Sequence, residues 1–172
     1  MRDKIHQNPP YMRDFLYKNE FIEIHTPKLI AAASESGSDV FAVDYFDRTA
    51  YLAQSPQFYK QMAMASGFEK IFEVAPAFRA ENSNTKTHAS EFWMIEPEIA
   101  FADLEDDMDL IEDMVKYCID YVLDNAPEEM KFFESMIDKE CIKRIKAVRD
   151  SDFKRMTYTC LLYTSPSPRD IS

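Results

Sequence analysis

The chain has 172 residues, and its 20 Lys and Arg against 31 Asp and Glu give a formal net charge of −11 at pH 7. A hydrophobic fraction of 46% with 30% charged residues is typical of a soluble globular domain or part of one, and the acidic balance excludes a generally basic surface for nucleic acid. Only two glycines occur, Gly37 and Gly67, so a Walker loop and a dinucleotide-binding glycine fingerprint are excluded.

The first elements predicted along the chain are a helix, a strand and a hairpin. Apolar residues at helical spacing predict a helix over residues 11–18, and the alternating FIEIHTP predicts a strand that ends at Pro27. The run VFAVDYFDRTAYLAQ, residues 40–54, predicts a β-hairpin that turns at Asp47 and Arg48.

A second helix and two longer strands follow. Helical residues after Pro56 stop at Gly67, which suits the C′ position of a helix. KIFEVAPAFRA and EFWMIEPEIAF then predict two strands joined by the polar loop ENSNTKTHAS. The order is strand, loop, strand.

The rest of the chain is predicted to be helical up to a Ser/Pro-rich end. Three helices are predicted in this part of the chain. Asn125 before Pro127 predicts the cap of the middle helix, and Asp138 opens the last one, which ends near Val148. The end, LLYTSPSPRDIS, predicts disorder, so we divide the chain into a domain over 1–159 and a tail over 160–172. The first of these helices starts after Asp103 and has one apolar face, formed by Leu104, Met108, Ile111, Val115, Cys118 and Val122.

The cysteines and the N-terminus bear on the compartment. Cys118, Cys141 and Cys160 form no C-x-x-C pair, so neither a disulfide framework nor a zinc site is predicted, and we expect no metal ligands. No apolar run is long enough for a signal or a membrane span. These features predict a reducing, cytoplasmic compartment and no membrane partner.

The strand-loop-strand segment carries the chemistry. Arg79 and Glu81 are two apart and so face the same side of a strand, and an antiparallel partner can bring an aromatic ring onto that side. A guanidinium, a carboxylate and a ring together suit a phosphate, a donor group and a base. The alternative is an ordinary cross-strand salt bridge over a core phenylalanine.

Two segments resemble motifs of one family. FRAENSNTKTHASEF is similar to motif 2 of the class II aminoacyl-tRNA synthetases, in the aspartyl/asparaginyl branch, and FIEIHTPKL resembles motif 1. YLAQSPQFYKQ resembles the stretch of aspartyl enzymes that leads into motif 2, and the resemblance covers roughly residues 11–159. It implies an α+β fold: part of a catalytic domain, with an antiparallel sheet flanked by helices.

By resemblance, four residues would hold ATP. Arg79 would bind the α-phosphate of ATP and the carboxylate of the amino acid, which makes it the catalytic residue. Glu81 would orient the nucleotide, His88 would reach the β- and γ-phosphates, and Phe92 would stack on adenine.

The resemblance also implies an amino-acid site and a dimer. Glu35 and Gln57, with Ser55 nearby, would bind the α-amino group, and Lys60 would pair with the side-chain carboxylate of aspartate. Pro27 would lie at the interface of a homodimer.

The implied reaction is attack of an amino-acid carboxylate on the α-phosphate of ATP, followed by transfer of the aminoacyl group to tRNA(Asp) or tRNA(Asn). Positioning and fixed positive charge do most of such catalysis, so no protein nucleophile is needed. The family also uses Mg²⁺, but the acidic strand that holds it has no counterpart in this sequence.

The sequence departs from the family in several places. Thr87 stands where the family has an arginine, Ser36 replaces a glycine, and neither motif 3 nor the anticodon-binding barrel is present. These absences predict a fragment that is inactive alone. The alternatives are a non-catalytic paralogue and a tRNA-independent amino-acid ligase of the asparagine synthetase kind on the same fold.

The two halves resemble different branches. Up to about Ala77, with its Q-S-P-Q and Lys60, the chain is similar to aspartyl enzymes, whereas from Glu81 onward it is similar to asparaginyl ones. The chain is either a natural mosaic or two related sequences joined. Because an ammonium group gains a charged partner in aspartate and only a neutral carbonyl in asparagine, Lys60 predicts a preference for aspartate.

Overall fold

The computed structural model describes residues 10–32, 39–81 and 88–160. The chain forms two compact units, Met1–Asp107 and Met108–Ser172. The first unit carries the strands, and the second is helical. The elements of the described chain, in order, are α1 (Pro10–Lys18), β1 (Ile22–Glu23), β2 (Leu29–Ile30), β3 (Ala42–Tyr45), β4 (Arg48–Leu52), α2 (Gln57–Ala65), β5 (Lys70–Phe78), β6 (Glu91–Ile99), α3 (Leu104–Asn125), α4 (Pro127–Met136) and α5 (Cys141–Asp150).

The main sheet has the order β1-β5-β6. Strands β5 and β6 pair antiparallel over nine residues, from Lys70 opposite Ile99 to Phe78 opposite Glu91. The mixed α+β architecture is the one that the sequence predicts, and β1 adds a short parallel pair along β5. A second, smaller sheet has the order β2-β4-β3 and is antiparallel throughout.

Both long strands contain a proline without losing a ladder bond. The backbone N–H of Phe78 points away from β6 and donates to Ala53 O at 3.0 Å, so alternation directs the nitrogen of Pro76 away from β6 as well. On β6, the backbone N–H of Ala100 points towards β5 and donates to Glu69 O at 2.8 Å. Because backbone nitrogens alternate in direction along a strand, the nitrogen of Pro97, three residues earlier, points away from β5. Each proline therefore occupies a position where the partner strand needs no donor.

Part of the core of the first unit lies on the side of β5 that carries Phe72. Phe72 and Leu16 are fully buried, with Phe21 and Val74 almost so. The ring of Tyr17 meets Phe72 edge-on, with centroids 5.3 Å apart. These side chains explain why the short helix α1 persists, since a helix of nine residues depends on tertiary packing.

Two strand predictions need correction. The predicted strand over residues 21–27 is limited to Ile22–Glu23, because the N–H of Thr26 donates to the Glu73 carboxylate and not to a neighbouring strand. The hairpin turns at Phe46 and Asp47, one residue earlier than predicted, because Arg48 already pairs with Tyr45. Phe46 takes a positive φ of 54°.

The helix predictions are confirmed in position, with changes at their ends. Gly67 follows the C-cap Ser66 of α2 with φ 102°, as predicted. Asn125 was predicted to cap α4, but it is the last residue of α3 and its side chain donates to Tyr121 O.

Helix α5 continues to Asp150, two residues beyond Val148. The predicted apolar face of α3 does not become a core, because no residue of that helix is buried among the described parts of the chain. No described helix is long and apolar enough to cross a membrane. The predicted disordered end lies outside the described residues from Leu161 onward.

Candidate functional site

The candidate site lies on one face of the β5-β6 ladder. Side chains two apart on a strand share a face, and directly opposite residues in an antiparallel pair share it too. This face has charged side chains at one end, small or apolar ones at its centre and an aromatic ring near the other end. Its members on the two strands are Ile71, Glu73, Ala75, Ala77, Phe92, Met94, Glu96 and Glu98.

Arg79 and Phe92 meet at one end of this face. The backbone N–H of Arg79 donates to Ser90 O at 2.9 Å, which extends the ladder beyond β5. The guanidinium carbon then lies 5.4 Å from the centroid of the Phe92 ring, within the range of a cation-π contact. Glu81 and His88 are exposed on either side of residues 82–87, which lie outside the described part of the chain.

Helix α2 supplies the residues at the other end. Gln57 and Lys60 are three apart and face the ladder together. The Gln57 amide donates to both carboxylate oxygens of Glu98, each at 3.0 Å, and the hydroxyl of the buried Ser55 accepts the backbone N–H of Gln57 at 3.2 Å.

Lys60 is the central charge of this group. Its side chain is 4% exposed, and its ammonium lies 2.9 Å from Glu96 and 3.2 Å from Glu98. The other carboxylate oxygen of Glu96, Oε1, is buried and has no hydrogen-bond partner among the described residues. At this corner of the face, formed by Lys60, Glu96 and Glu98, one ammonium group therefore lies between two carboxylates. Oxygen Oε1 of Glu96 remains as an acceptor to which no described residue donates.

The structure thus brings the predicted residues into two groups on one face. Arg79 and Phe92 form one, and Gln57 with Lys60 forms the other. Phe92 of the first group and Glu96, which pairs with Lys60 of the second group, lie four residues apart on β6, about 13 Å at the usual strand rise. Pro27 is exposed between β1 and β2, and Glu35 lies outside the described residues.

Sequence reasoning missed three carboxylates on this face: Glu73, Glu96 and Glu98. The signal was available, since Glu96 and Glu98 are two apart in EFWMIEPEIAF and therefore share a face, as the sequence predicts for Arg79 and Glu81. Glu73 sits within an otherwise apolar run, where a lone charge marks a buried, paired group.

No cluster of three or more His, Cys, Asp or Glu side chains is placed to hold a metal ion within residues 10–32, 39–81 and 88–160. Those residues therefore do not form a ligand set for Mg²⁺.

The chain belongs to the class II tRNA synthetases of the D, K and N group, whose family description matches residues 2–167. It is 47% identical over 165 residues to an asparagine–tRNA ligase of Clostridium tetani, covering 84% of this chain and 35% of that one. It is also 51% identical over 123 residues to an aspartate–tRNA(Asp) ligase of Pyrococcus abyssi, covering 71% and 28%. The chain therefore spans about a third of the length of these curated relatives.

Solved structures give the same fold. Asparaginyl-tRNA synthetase from Pyrococcus horikoshii, complexed with asparaginyl-adenylate, is 33% identical with a TM-score of 0.78, and the match covers 92% of this chain and 36% of that one. A structure described as a putative aspartyl-tRNA synthetase from Leishmania major Friedlin is 38% identical with a TM-score of 0.67, covering 75% and 24%. The family is one of aminoacyl-tRNA ligases, as the resemblance implied.

Proposed function

We propose that the chain is part of a cytoplasmic, homodimeric tRNA ligase that activates asparagine or aspartate with ATP and transfers it to the cognate tRNA. The observation that carries this proposal is the single sheet face on which an arginine-aromatic pair and a charged pocket lie along one ladder. One end suits a nucleotide and the other suits a small polar amino acid.

The nucleotide end has the required chemistry. In Arg79 it has a permanent cation for the α-phosphate, where negative charge builds up during adenylate formation. Phe92 offers a flat ring on the same face, as adenine stacking requires. Glu81 and His88 remain the proposed contacts from the two sides of the 82–87 segment.

The amino-acid end favours asparagine over aspartate. Lys60 already has two carboxylate partners, so a substrate carboxylate would enter a corner with more negative than positive charge among the described groups. A carboxamide fits better, because its oxygen can accept from Lys60 while its N–H₂ donates to Glu96 Oε1. The two carboxylates on Lys60 thus reverse the preference for aspartate that Lys60 alone predicts.

The test is ATP–pyrophosphate exchange by a full-length protein in which this chain is joined to the segments that its relatives possess. We expect asparagine-dependent exchange and charging of tRNA(Asn). Exchange without any tRNA charging would point to the tRNA-independent ligase. Absence of exchange with both amino acids would contradict the proposal.

A further inference from the structure

Glu73 is a buried carboxylate with its own set of donors. It is 1% exposed, and among the described residues its hydrogen bonds come from the segment that joins β1 to β2. Thr26 donates from its backbone N–H at 2.9 Å and from its hydroxyl at 2.7 Å, and the Lys28 ammonium donates at 2.6 Å. Lys28 also donates to the Thr26 hydroxyl at 2.8 Å, which closes the network.

Glu73 lies directly opposite Glu96 in the β5-β6 register. Opposite residues of an antiparallel pair have Cβ atoms about 4.5–5.5 Å apart, and like charges in that position are destabilising. Both carboxylates also line the same narrow crevice beside Ala75 and Met94. Each of two buried negative groups in this arrangement needs a compensating partner.

The structure provides those cations from two different elements. Lys28, from the β1-β2 segment, holds Glu73, and Lys60, from α2, holds Glu96. The bonds to Thr26 and Lys28 occupy both oxygens of Glu73. Of the Lys28 and Lys60 ammonium groups, it is therefore that of Lys60 which pairs with Glu96.

We propose that Lys28 is a positioning residue for the Lys60–Glu96 pair, and that it acts by neutralising Glu73. Lys28 neutralises the carboxylate opposite Glu96, so that Lys60 keeps the geometry in which Glu96 Oε1 stays available as an acceptor. The use of that acceptor for substrate rests on the proposed function, whereas the electrostatic coupling of the two pairs does not. Without Lys28, the buried charge of Glu73 competes for Lys60.

The experiment reads the Lys60 ammonium directly in the 172-residue chain. Because Lys60 is buried and doubly paired, we expect its ammonium protons to exchange slowly with water and to give a ¹H–¹⁵N correlation signal, assigned by its loss in Lys60→Met. We expect Lys28→Met to shift or remove this signal. Glu73→Gln should leave it in place, and the double variant Lys28→Met with Glu73→Gln should restore it.

The matched control is Lys143→Met, which removes the same charge from an exposed pair with Glu140 and should leave the Lys60 signal unchanged. An unchanged signal in folded Lys28→Met overturns the proposal, as does a double variant that stays as perturbed as the single one. If Lys28→Met fails to fold, a shifted signal in Glu73→Gln still overturns it. A wild-type chain without a protected Lys60 signal does so too.

None of these measurements involves ATP, an amino acid or tRNA. A negative exchange assay would therefore refute the proposed function and leave the coupling intact. Conversely, an active full-length protein with an unperturbed Lys60 signal in Lys28→Met would refute only the coupling.

Discussion

One carboxylate oxygen of Glu96, Oε2, pairs with Lys60. The other, Oε1, is buried, and no described residue donates a hydrogen bond to it. In the full-length protein, we expect Glu96→Gln to lower kcat/KM for asparagine about 10- to 100-fold. The reason is that a hydrogen bond to a charged, buried group contributes about 1.5–3 kcal/mol. Steady-state exchange kinetics with asparagine and with aspartate measure it.

Glu91→Gln is the matched control, because Glu91 lies on the same strand and on the opposite face. Glu91→Gln should leave kcat/KM unchanged for both asparagine and aspartate. Preferential activation of aspartate by the wild-type protein would show that Lys60 leaves its two carboxylates to meet the substrate, as the sequence alone predicts.

A second residue-scale prediction concerns Glu23, which accepts hydrogen bonds from Tyr17 at 2.6 Å and from Arg13 at 2.9 Å. Burial by itself raises the pKa of Glu23, but the bonds from Tyr17 and Arg13 outweigh it and leave the pKa below its ordinary value. The hydrogen bond to Glu23 in turn raises the pKa of Tyr17.

Because the pKa of Glu23 is lowered on folding, its contribution to stability is complete above its ordinary pKa near 4.5 and is lost as the pH falls through the folded value. We expect Tyr17→Phe to reduce the free energy of unfolding at pH 7 by about 0.5–1 kcal/mol. The acid loss of stability should also become shallower.

Urea unfolding between pH 7 and pH 3 measures both effects. Tyr158→Phe, which removes a hydroxyl from a mostly exposed side chain, serves as the control and should change neither. An acid limb in Tyr17→Phe that matches the wild-type limb would contradict the assignment.

At the scale of elements, the start of α3 depends on a reciprocal cap. The Asp103 carboxylate accepts the backbone N–H groups of Glu105 and Asp106 at 2.9 and 3.1 Å, and the Asp106 carboxylate accepts that of Asp103 at 2.9 Å. We expect Asp103→Ala to destabilise the chain by about 0.5–2 kcal/mol, because two N–H groups lose their acceptor.

Asp107→Ala removes the same charge from the same turn without removing the cap, so it should cost less, about 0.3–1 kcal/mol from the helix dipole. Helix content and the thermal midpoint, both from circular dichroism, distinguish the two variants. Equal losses would show that charge alone, and not the hydrogen bonds, stabilises this end.

The elements that could be predicted are those whose local pattern decides the outcome. Strand β5 is buried continuously from Ile71 to Ala75, as its mostly apolar run suggests, and Gly67 ends α2 because its φ of 102° suits glycine. The Arg79–Phe92 contact follows from strand spacing in the same way. What the sequence could not show was which lysine each buried carboxylate would find, because Lys28 and Lys60 reach Glu73 and Glu96 through tertiary packing.

The hairpin turn was misplaced for a similar reason. The sequence DYFDR offers an aspartate and an arginine as turn residues, whereas the ladder places exposed Phe46 at the turn with a positive φ. Pairing of Tyr45 with Arg48 fixes the register and overrides the local preference of the residues.

At the scale of the whole molecule, the chain spans about a third of its relatives. We expect the 172-residue chain alone to show no exchange above background with either amino acid, because the sequence lacks motif 3. The full-length protein is the positive control. Clear amino-acid-dependent exchange by the short chain would contradict this expectation.

Pro97 has a consequence for solubility. Strand β6 has one strand neighbour among the described residues, so its other edge is a template on which a second chain could add a strand. Pro97 removes one of the outward-facing donors from that edge. We therefore expect Pro97→Val to keep the fold but to aggregate faster on warming, as measured by light scattering, with the exposed Ala102→Val as the control.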